Sequence, residues 1–281
     1  SGPGATNMVT PVRDCAADSV PIVVICGQVP RAAIGTDAFQ EAPISAVMGS
    51  VSKHVFLVTE PEKLEATIRT AYEIASTGRP GPVVVDVPKD VQNWEGRFDG
   101  SATLPIPGYR RRLQEVTENM LSDDDCQDFL RLLSAAERPL VYAGGGVING
   151  NASESLRRFC DRFGLPVTTP LMGIGAEDTT DTLSLHMLGM HGMAYANYAW
   201  HHTGVLTQDL DAVVAYADRV GFEKNLTDWH DHIGDLKKVH ALNYDRQSHL
   251  IQPYAVIEAI NAITDGRAII STGVGQHQMW A

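Results

Sequence analysis

The segment Gly81-Pro-Val-Val-Val-Asp-Val87 decides the fold class, because it places an apolar run of strand length directly after a helical pattern. The helical pattern covers residues 61–76, with Pro61 in its first turn and Gly78 just past its end. Its apolar stripe is formed by Leu64, Ile68, Ala71, Tyr72 and Ala75. A helix that leads into an apolar strand is typical of a parallel α/β sheet covered by helices.

The same alternation extends in both directions. Upstream, Val20-Pro-Ile-Val-Val-Ile-Cys26 ends at Gly27 and predicts a strand buried on both faces. Downstream, Ser122 and the acidic residues 123–125 predict a helix start, with Leu130 and Leu133 on its apolar face. Further strands are predicted at 139–143, 165–169 and 268–272, and further helices at 153–163, 209–219, 229–238 and 254–263.

Composition restricts the possible partners. The chain has 281 residues, 34 acidic against 22 basic, and a net charge of -12, which disfavours nucleic acid and anionic membranes as partners. The four cysteines have no CxxC spacing, so they indicate neither a zinc site nor a disulfide framework, and a reduced compartment fits best. The apolar runs are too short to cross a bilayer.

Residues 94–108 are rich in glycine, proline and polar residues and have no sustained period, so they predict an interdomain linker that extends as far as Asn119. The predicted division is therefore a first domain at 1–100, a linker at 101–120, a central domain at 121–245 and the start of a third domain at 246–281.

Three glycine-containing turns stand where α/β sheets present ligand loops. Ser1-Gly-Pro-Gly-Ala-Thr-Asn7 precedes a predicted helix, residues 28–41 follow the first strand, and Gly144-Gly-Gly146 ends a later strand. Each is a weak signal alone, since such turns are more often structural and the last lacks the full GxGxxG pattern.

Together these strings point to one family. The opening turn, Gln28-Val-Pro30, Asp37-Ala-Phe-Gln-Glu41 and Gly275-Gln-His-Gln-Met-Trp280 resemble the catalytic subunit of the acetohydroxyacid (acetolactate) synthases, which are thiamine-diphosphate enzymes. The resemblance covers most of the chain. It implies an α/β fold with part of a pyrimidine-binding domain, a central Rossmann-like FAD domain and the start of a diphosphate-binding domain.

The family's activity follows as an expectation. The resemblance implies decarboxylation of pyruvate and condensation with a second pyruvate or 2-oxobutyrate, which gives 2-acetolactate or 2-aceto-2-hydroxybutyrate in branched-chain amino-acid synthesis. It implies thiamine diphosphate, Mg2+ and FAD as cofactors, a homodimer or tetramer, and a regulatory small subunit. The compartment would be the bacterial cytoplasm, or an organelle if a transit peptide precedes Ser1.

Site residues follow from the same resemblance. Pro3 and Asn7 would lie beside thiamine diphosphate, Phe39 and Gln40 would face the substrate and thiazolium, and Lys89 would stand at the substrate tunnel. Without the family, Lys89 is an ordinary surface charge. The channel would be lined by Val29, Pro30 and Ala38. The cofactor diphosphate would be contacted by Gly275, Gln276 and His277, with Met279 near the aminopyrimidine.

A second group of residues would wrap FAD. It lies in the glycine run and in two segments, Thr168-Thr-Pro-Leu-Met-Gly173 and Met187-Leu-Gly-Met-His-Gly192. Met190 and His191 are otherwise core filler and a satisfied histidine. The expected FAD contacts are Gly144, Gly145, Gly146, Thr168, Thr169, Leu188, Gly189, Met190 and His191.

The chain departs from the family in three places. The resemblance implies a catalytic glutamate upstream of Ser1 and a magnesium-binding segment beyond Ala281, so these 281 residues alone are expected to be inactive and to hold no metal. Between His202 and Trp229, a piece of about one strand-helix-strand unit is expected to be missing. The arginine for the second substrate is then Arg219 or absent, and helical spacing around Arg219 favours absence.

Two other functions stay open. One is another thiamine-diphosphate decarboxylase or carboligase, such as pyruvate oxidase or glyoxylate carboligase, since these share the architecture. The other is a degenerate, non-catalytic relative.

Overall fold

A computed structural model describes residues 1–98, 100–118, 120–200, 210–241 and 243–268. The chain forms two compact units, Ser1–Asn119 and Met120–Ala281. Residues 269–272 of the strand predicted at 268–272 lie outside the described residues, as do the expected cofactor residues Gly275, Gln276, His277 and Met279.

The first unit is built on a parallel sheet. Its described strands are β1 (Val23–Gln28), β2 (His54–Leu57) and β3 (Val83–Pro88), in the order β1-β3-β2. Every residue of β3 is buried, because β3 is paired on both sides and covered on both faces. Burial of each of its valines contributes about 1.5–3 kcal/mol relative to an exposed valine.

Helices cover the two faces of this sheet. The helices of the first unit are α1 (Pro3–Thr6), α2 (Val9–Asp18), α3 (Ile44–Gly49), α4 (Leu64–Ser76), α5 (Lys89–Gln92) and α6 (Pro107–Glu118). On one face, Ala71 and Ile74 of α4 pack against Val85. On the other face, Val12 and Met48 pack around Val84. The predicted helix at 61–76 is confirmed as a short 3-10 turn, Pro61–Lys63, that continues into α4.

Two burial predictions in this unit are wrong. Ile25 is 64% exposed rather than buried, because β1 is an edge strand among the described strands and one of its faces carries no cover there. Tyr72 is 69% exposed, because the buried face of α4 is centred on Thr70, Ala71 and Ile74 and turns Tyr72 away from the sheet.

The predicted linker is not irregular throughout. Pro107–Glu118 is the helix α6, and Arg110 holds it on α4 by two hydrogen bonds, 2.7 and 2.6 Å, to the Glu73 carboxylate. The Tyr109 hydroxyl lies 2.8 Å from the Thr77 Oγ1. Because these contacts come from α4 and from the residue after it, the spacing of apolar residues within 107–118 does not reveal the helix.

The second unit repeats the architecture. Its described strands are β4 (Val141–Tyr142), β5 (Val167–Thr169) and β6 (Ser184–Met187), all parallel and in that order. Its helices are α7 (Asp123–Ala135), α8 (Gly145–Asn149), α9 (Ser153–Phe163), α10 (Ala194–Trp200), α11 (Leu210–Val220), α12 (Thr227–Val239) and α13 (Pro253–Thr264). The predicted α/β class with parallel sheets is confirmed.

Local signals in this unit are also confirmed. The Ser122 Oγ accepts a hydrogen bond from the Asp125 amide at 3.2 Å, and the Asp125 carboxylate accepts one from the Ser122 amide at 2.9 Å, which is a capping box at the start of α7. Leu130 and Leu133 are buried as predicted, and Phe159 is 1% exposed at the centre of the same cluster. No helix in the described part of the chain is long and apolar enough to cross a membrane.

Candidate functional site

The ends of β1 and β3 bring the opening turn and the 28–41 segment together. Gly2 has φ +46°, and a Cβ on it would lie 2.6 Å from the Gln40 carbonyl oxygen. A Cβ on Gly27, at the end of β1, would lie 3.9 Å from the Ser1 nitrogen. Only glycine permits the close approach at Gly2, and the Gly27 distance is an ordinary contact. The two predicted cofactor segments therefore meet at the carboxyl edge of the sheet, where α/β proteins bind ligands.

An ion pair joins the same segment to the region after β3. The Arg31 main-chain amide and its Nε both donate to the Asp90 carboxylate, at 3.0 and 2.6 Å. Arg31 also donates to the Thr59 carbonyl at 2.7 Å. These hydrogen bonds hold the 28–41 segment beside α5, which begins at Lys89. The two that Asp90 accepts lower the pKa of its carboxyl, chiefly the one from the Arg31 amide. Lys89 is exposed at this edge.

The turn that carries Gln40 has an unusual backbone. Asp37 and Gln40 have φ of 56° and 64°, in the left-handed region that non-glycine residues rarely adopt. The Glu41 carboxylate accepts hydrogen bonds from the Gly35 amide at 2.5 Å and the Ala38 amide at 3.1 Å. These backbone hydrogen bonds, that from Gly35 first, lower the pKa of Glu41. Such backbone is retained where the surroundings enforce it.

A buried polar pair lies beneath this turn. Asp86 and Gln28 are 1% and 6% exposed, and the Gln28 Nε2 donates to the Asp86 Oδ2 at 3.0 Å. The other carboxyl oxygen, Asp86 Oδ1, is buried and has no hydrogen-bond partner in the described residues. Burial raises the pKa of Asp86.

In the second unit, three strand ends form a similar edge. A Cβ on Gly145, after β4, would lie 2.9 Å from the Met172 carbonyl oxygen, so this glycine packs against the segment after β5. Gly144 and Gly146 have no heavy atom within 4 Å of their Cβ positions. The middle glycine is therefore structural, while its neighbours leave main chain open to a ligand.

The segment after β6 is held to β5 and to α10. The Thr168 Oγ1 donates to the His186 carbonyl at 2.8 Å, and the Leu188 amide donates to the Thr169 carbonyl at 3.0 Å. Gly189, with φ +104°, donates from its amide to the Asn197 Oδ1 at 2.8 Å and accepts from the Asn197 Nδ2 at 3.0 Å. The turn is thus fixed by side chains from two elements.

Comparison with known proteins identifies the family. Residues 1–47 match the family model "Thiamine pyrophosphate enzyme, N-terminal TPP binding domain", and residues 126–224 match "Thiamine pyrophosphate enzyme, central domain". The chain belongs to the thiamine pyrophosphate enzyme family. Thiamine pyrophosphate is the same compound as thiamine diphosphate, so the expected family is confirmed.

Relatives within this family are acetolactate synthases. The whole chain is 39% identical over 331 positions to acetolactate synthase 1, chloroplastic, of Nicotiana tabacum, and 39% identical over 337 positions to acetolactate synthase, chloroplastic, of Arabidopsis thaliana. The chain spans about half the length of these relatives, 49% and 48%. Both alignments are longer than the 281-residue chain, as expected if an internal piece is missing.

For this thiamine pyrophosphate enzyme, the predicted first-unit residues lie at one edge of the sheet. Pro3 opens α1 and Asn7 follows it, both exposed. Phe39 is 90% exposed beside Gln40. Gly4 has no heavy atom within 4 Å of its Cβ position, so the α1 backbone is open to a ligand. These residues leave this edge of the sheet open.

The predicted second-unit residues also share one edge. Thr168 and Thr169 are buried in β5, Gly189 follows β6, and Met190 and His191 are exposed, Met190 by 85%. Exposure excludes a core role for these last two side chains. In the described part of the chain, no group of three or more His, Cys, Asp or Glu side chains could hold a metal.

Arg219 does not belong to this edge. It lies in α11, where it pairs with Asp123 at 2.6 Å and stacks over Tyr216 at 4.8 Å. The helix predicted for this stretch is confirmed.

Sequence reasoning assigned no role to Asp86, Gln28, Glu41 or Asn197. Asp86 and Gln28 stand in quoted strings, but the contact between them spans 58 residues of sequence. Asp86 did carry one signal, a carboxylate inside an otherwise apolar strand, which requires a buried partner.

Proposed function

We propose that the protein is an acetolactate synthase, and that this chain contributes the residues that bind the substrate and the pyrimidine side of thiamine diphosphate, together with a FAD-binding edge. The observation that carries the proposal is that the segments containing Gly2, Gln40 and Lys89 lie together at one edge of the sheet. The chain is also 39% identical to an acetolactate synthase. Thiamine diphosphate, when bound, supplies the chemistry of carbon dioxide loss and carbon–carbon bond formation.

Charge supports a 2-oxo acid as substrate. The Lys89 ammonium is exposed, and its side chain forms no ion pair or hydrogen bond with the described residues. It is therefore available to attract the carboxylate of pyruvate or 2-oxobutyrate. The exposed ring of Phe39 would cover the apolar side of the substrate and help exclude water, while the Gln40 amide would hydrogen-bond to the substrate oxygen.

The FAD proposal rests on the second unit. The open main chain at Gly144 and Gly146 allows a dinucleotide diphosphate to approach, as parallel strand ends do in other dinucleotide sites. Thr168, Thr169, Leu188, Gly189, Met190 and His191 would enclose the cofactor from the adjacent strand ends. FAD would hold these segments together rather than take part in the condensation.

The remaining expectations are also proposals. Mg2+ would bind the cofactor diphosphate, the active site would form in a homodimer or tetramer, and a small regulatory subunit would bind the assembly. The relatives are named as chloroplastic, which favours an organelle as the compartment.

The test is acetolactate formation from pyruvate with thiamine diphosphate, FAD and Mg2+. We expect no sustained turnover from the purified 281-residue chain, and turnover from a chimera in which the chain replaces the matched half of the tobacco enzyme. Acetaldehyde, acetyl phosphate or tartronate semialdehyde from 2-oxo acids, in place of acetolactate, would favour another carboligase or oxidase.

A matched pair of variants tests the role of the lysine. Lys89→Ala in the chimera should raise the KM for pyruvate about tenfold, since it removes one charge-assisted contact. Lys63→Ala should leave KM unchanged, because Lys63 pairs with Glu60 on the surface. An inactive chimera that is folded and binds both cofactors would contradict the proposed function.

A further inference from the structure

Both polar atoms of the Gln28 side-chain amide form hydrogen bonds in the interior of the first unit. Its Nε2 donates to the Asp86 Oδ2 at 3.0 Å and to the Ala42 carbonyl at 2.9 Å, and its Oε1 accepts from the Val29 amide at 2.9 Å. A flipped amide would turn an oxygen toward two acceptors. Asp86 therefore selects one orientation of Gln28, and that orientation anchors the chain at both Val29 and Ala42.

The two anchor points bracket the proposed substrate turn. Val29 opens the segment, and Ala42 comes two residues after Gln40, whose left-handed backbone touches Gly2. Between these two points, the Glu41 carboxylate accepts hydrogen bonds from the Gly35 and Ala38 amides. Glu41 closes the turn on itself, but among the described hydrogen bonds it does not tie the turn to the sheet. The link from the sheet to the end of the turn runs through Gln28.

We propose that Asp86 and Gln28 are positioning residues for the proposed condensation: Asp86, from the central strand, orients Gln28, which holds Phe39 and Gln40 at the substrate side of the site. The inference rests on the proposed function for what the turn binds. Neither residue touches the substrate. The buried Gln28 amide suits this role, because its three hydrogen bonds restrict the segment that it holds to one conformation.

The first experiment measures hydrogen exchange in the 281-residue chain, with peptides covering residues 29–42. Gln28→Met keeps the side-chain length and removes all three hydrogen bonds, and Asp86→Leu removes the partner of Gln28. Asp86→Asn keeps an oxygen that accepts from Gln28. Thr70→Val is the matched control, because Thr70 is 0% exposed and its Oγ1 accepts from the Leu104 amide at 2.8 Å, away from the turn.

We expect Gln28→Met and Asp86→Leu to raise exchange in peptides 29–42 about tenfold, and Asp86→Asn and Thr70→Val to leave it unchanged. If Asp86→Leu does not fold, Gln28→Met carries the same test. Unchanged exchange in Gln28→Met, or an equal rise in Thr70→Val, would overturn the proposal. Failure of Asp86→Asn to match the unaltered chain would overturn it as well.

The second experiment separates positioning from folding. In the active chimera, Gln28→Met should raise the KM for pyruvate about tenfold, whereas loss of folded enzyme lowers only the apparent kcat. Thr70→Val should leave KM unchanged. An increase in KM that is equal in both variants would overturn the proposal. A chimera without acetolactate formation would reject the proposed function, while hydrogen exchange still decides whether Asp86 and Gln28 hold the turn.

Discussion

Gly2 and Gln40 touch through their main chains: a Cβ on Gly2 would lie 2.6 Å from the Gln40 carbonyl oxygen and 3.1 Å from its Cα. Both residues have left-handed φ, 46° and 64°. Two turns with unusual backbone thus support each other at the edge where the site is proposed. Their contact leaves no room for a side chain at position 2.

Gly2→Ala should destabilise the first unit by about 2–3 kcal/mol, because the methyl group meets backbone and the φ is unfavourable. Gly4→Ala is the control, since its Cβ position is open and it lies in α1, where alanine is better than glycine by up to about 1 kcal/mol. Urea unfolding followed by circular dichroism measures both. Equal stability of the two variants would show that the Gly2 contact has no such importance.

Ser122→Ala should reduce the free energy of unfolding of the second unit by about 1 kcal/mol, because it removes one half of the capping box. Ser134→Ala, at an exposed position in the same helix, should change it by less than about 0.5 kcal/mol. Thermal unfolding of both variants provides the measurement. A larger loss from Ser134→Ala would contradict the capping role.

Glu177 makes the second unit sensitive to pH. Burial raises the pKa of Glu177 to about 7, although the Ser184 hydroxyl donates to it at 2.9 Å. The unfolded chain releases this proton near pH 4.5, so from there to about pH 7 the folded state binds the extra proton and stability falls as pH rises. The carboxyl is partly exposed, so we expect a loss on the order of 1 kcal/mol.

Glu177→Gln should abolish this loss, whereas the exposed Glu137→Gln should keep it. The measurement is the urea midpoint at several pH values between 4.5 and 7.5. A slope that is the same in all three proteins would assign the pH dependence to other groups.

Asn197→Ala should weaken FAD binding about tenfold, because it releases both hydrogen bonds that hold Gly189 in its turn. Quenching of flavin fluorescence measures the affinity. Asn261→Ala, on the exposed side of α13, should bind FAD like the unaltered chain. Equal affinity in Asn197→Ala would show that the Gly189 turn is not part of the proposed FAD site.

Much of the fold could be predicted from local pattern. The apolar run of β3, the helical period of α4 and the Ser122 cap each depend on residues that are close to one another in sequence. The sequence therefore reveals each of them directly. The helix at 107–118 could not be predicted in this way, because its stabilising partners, Glu73 and Thr77, lie in α4 and directly after it. Likewise, the sequence predicts that Ile25 is buried, and only the order of the described strands shows that β1 lies at an edge among them.

The candidate site likewise combines features that are local in sequence with contacts that only the folded chain forms. The glycine turns and the motif strings indicate the family by their order along the chain. The sequence by itself therefore determined the α/β class, the family and the segments that carry the expected site. Tertiary structure alone decided that Gly2 meets Gln40, that Asp86 orients Gln28, and that Arg219 pairs with Asp123. The physical reason is the separation of the interacting residues along the sequence. Helix and strand periods are set by near neighbours, whereas buried hydrogen bonds and backbone contacts join residues that only the packed sheet brings together.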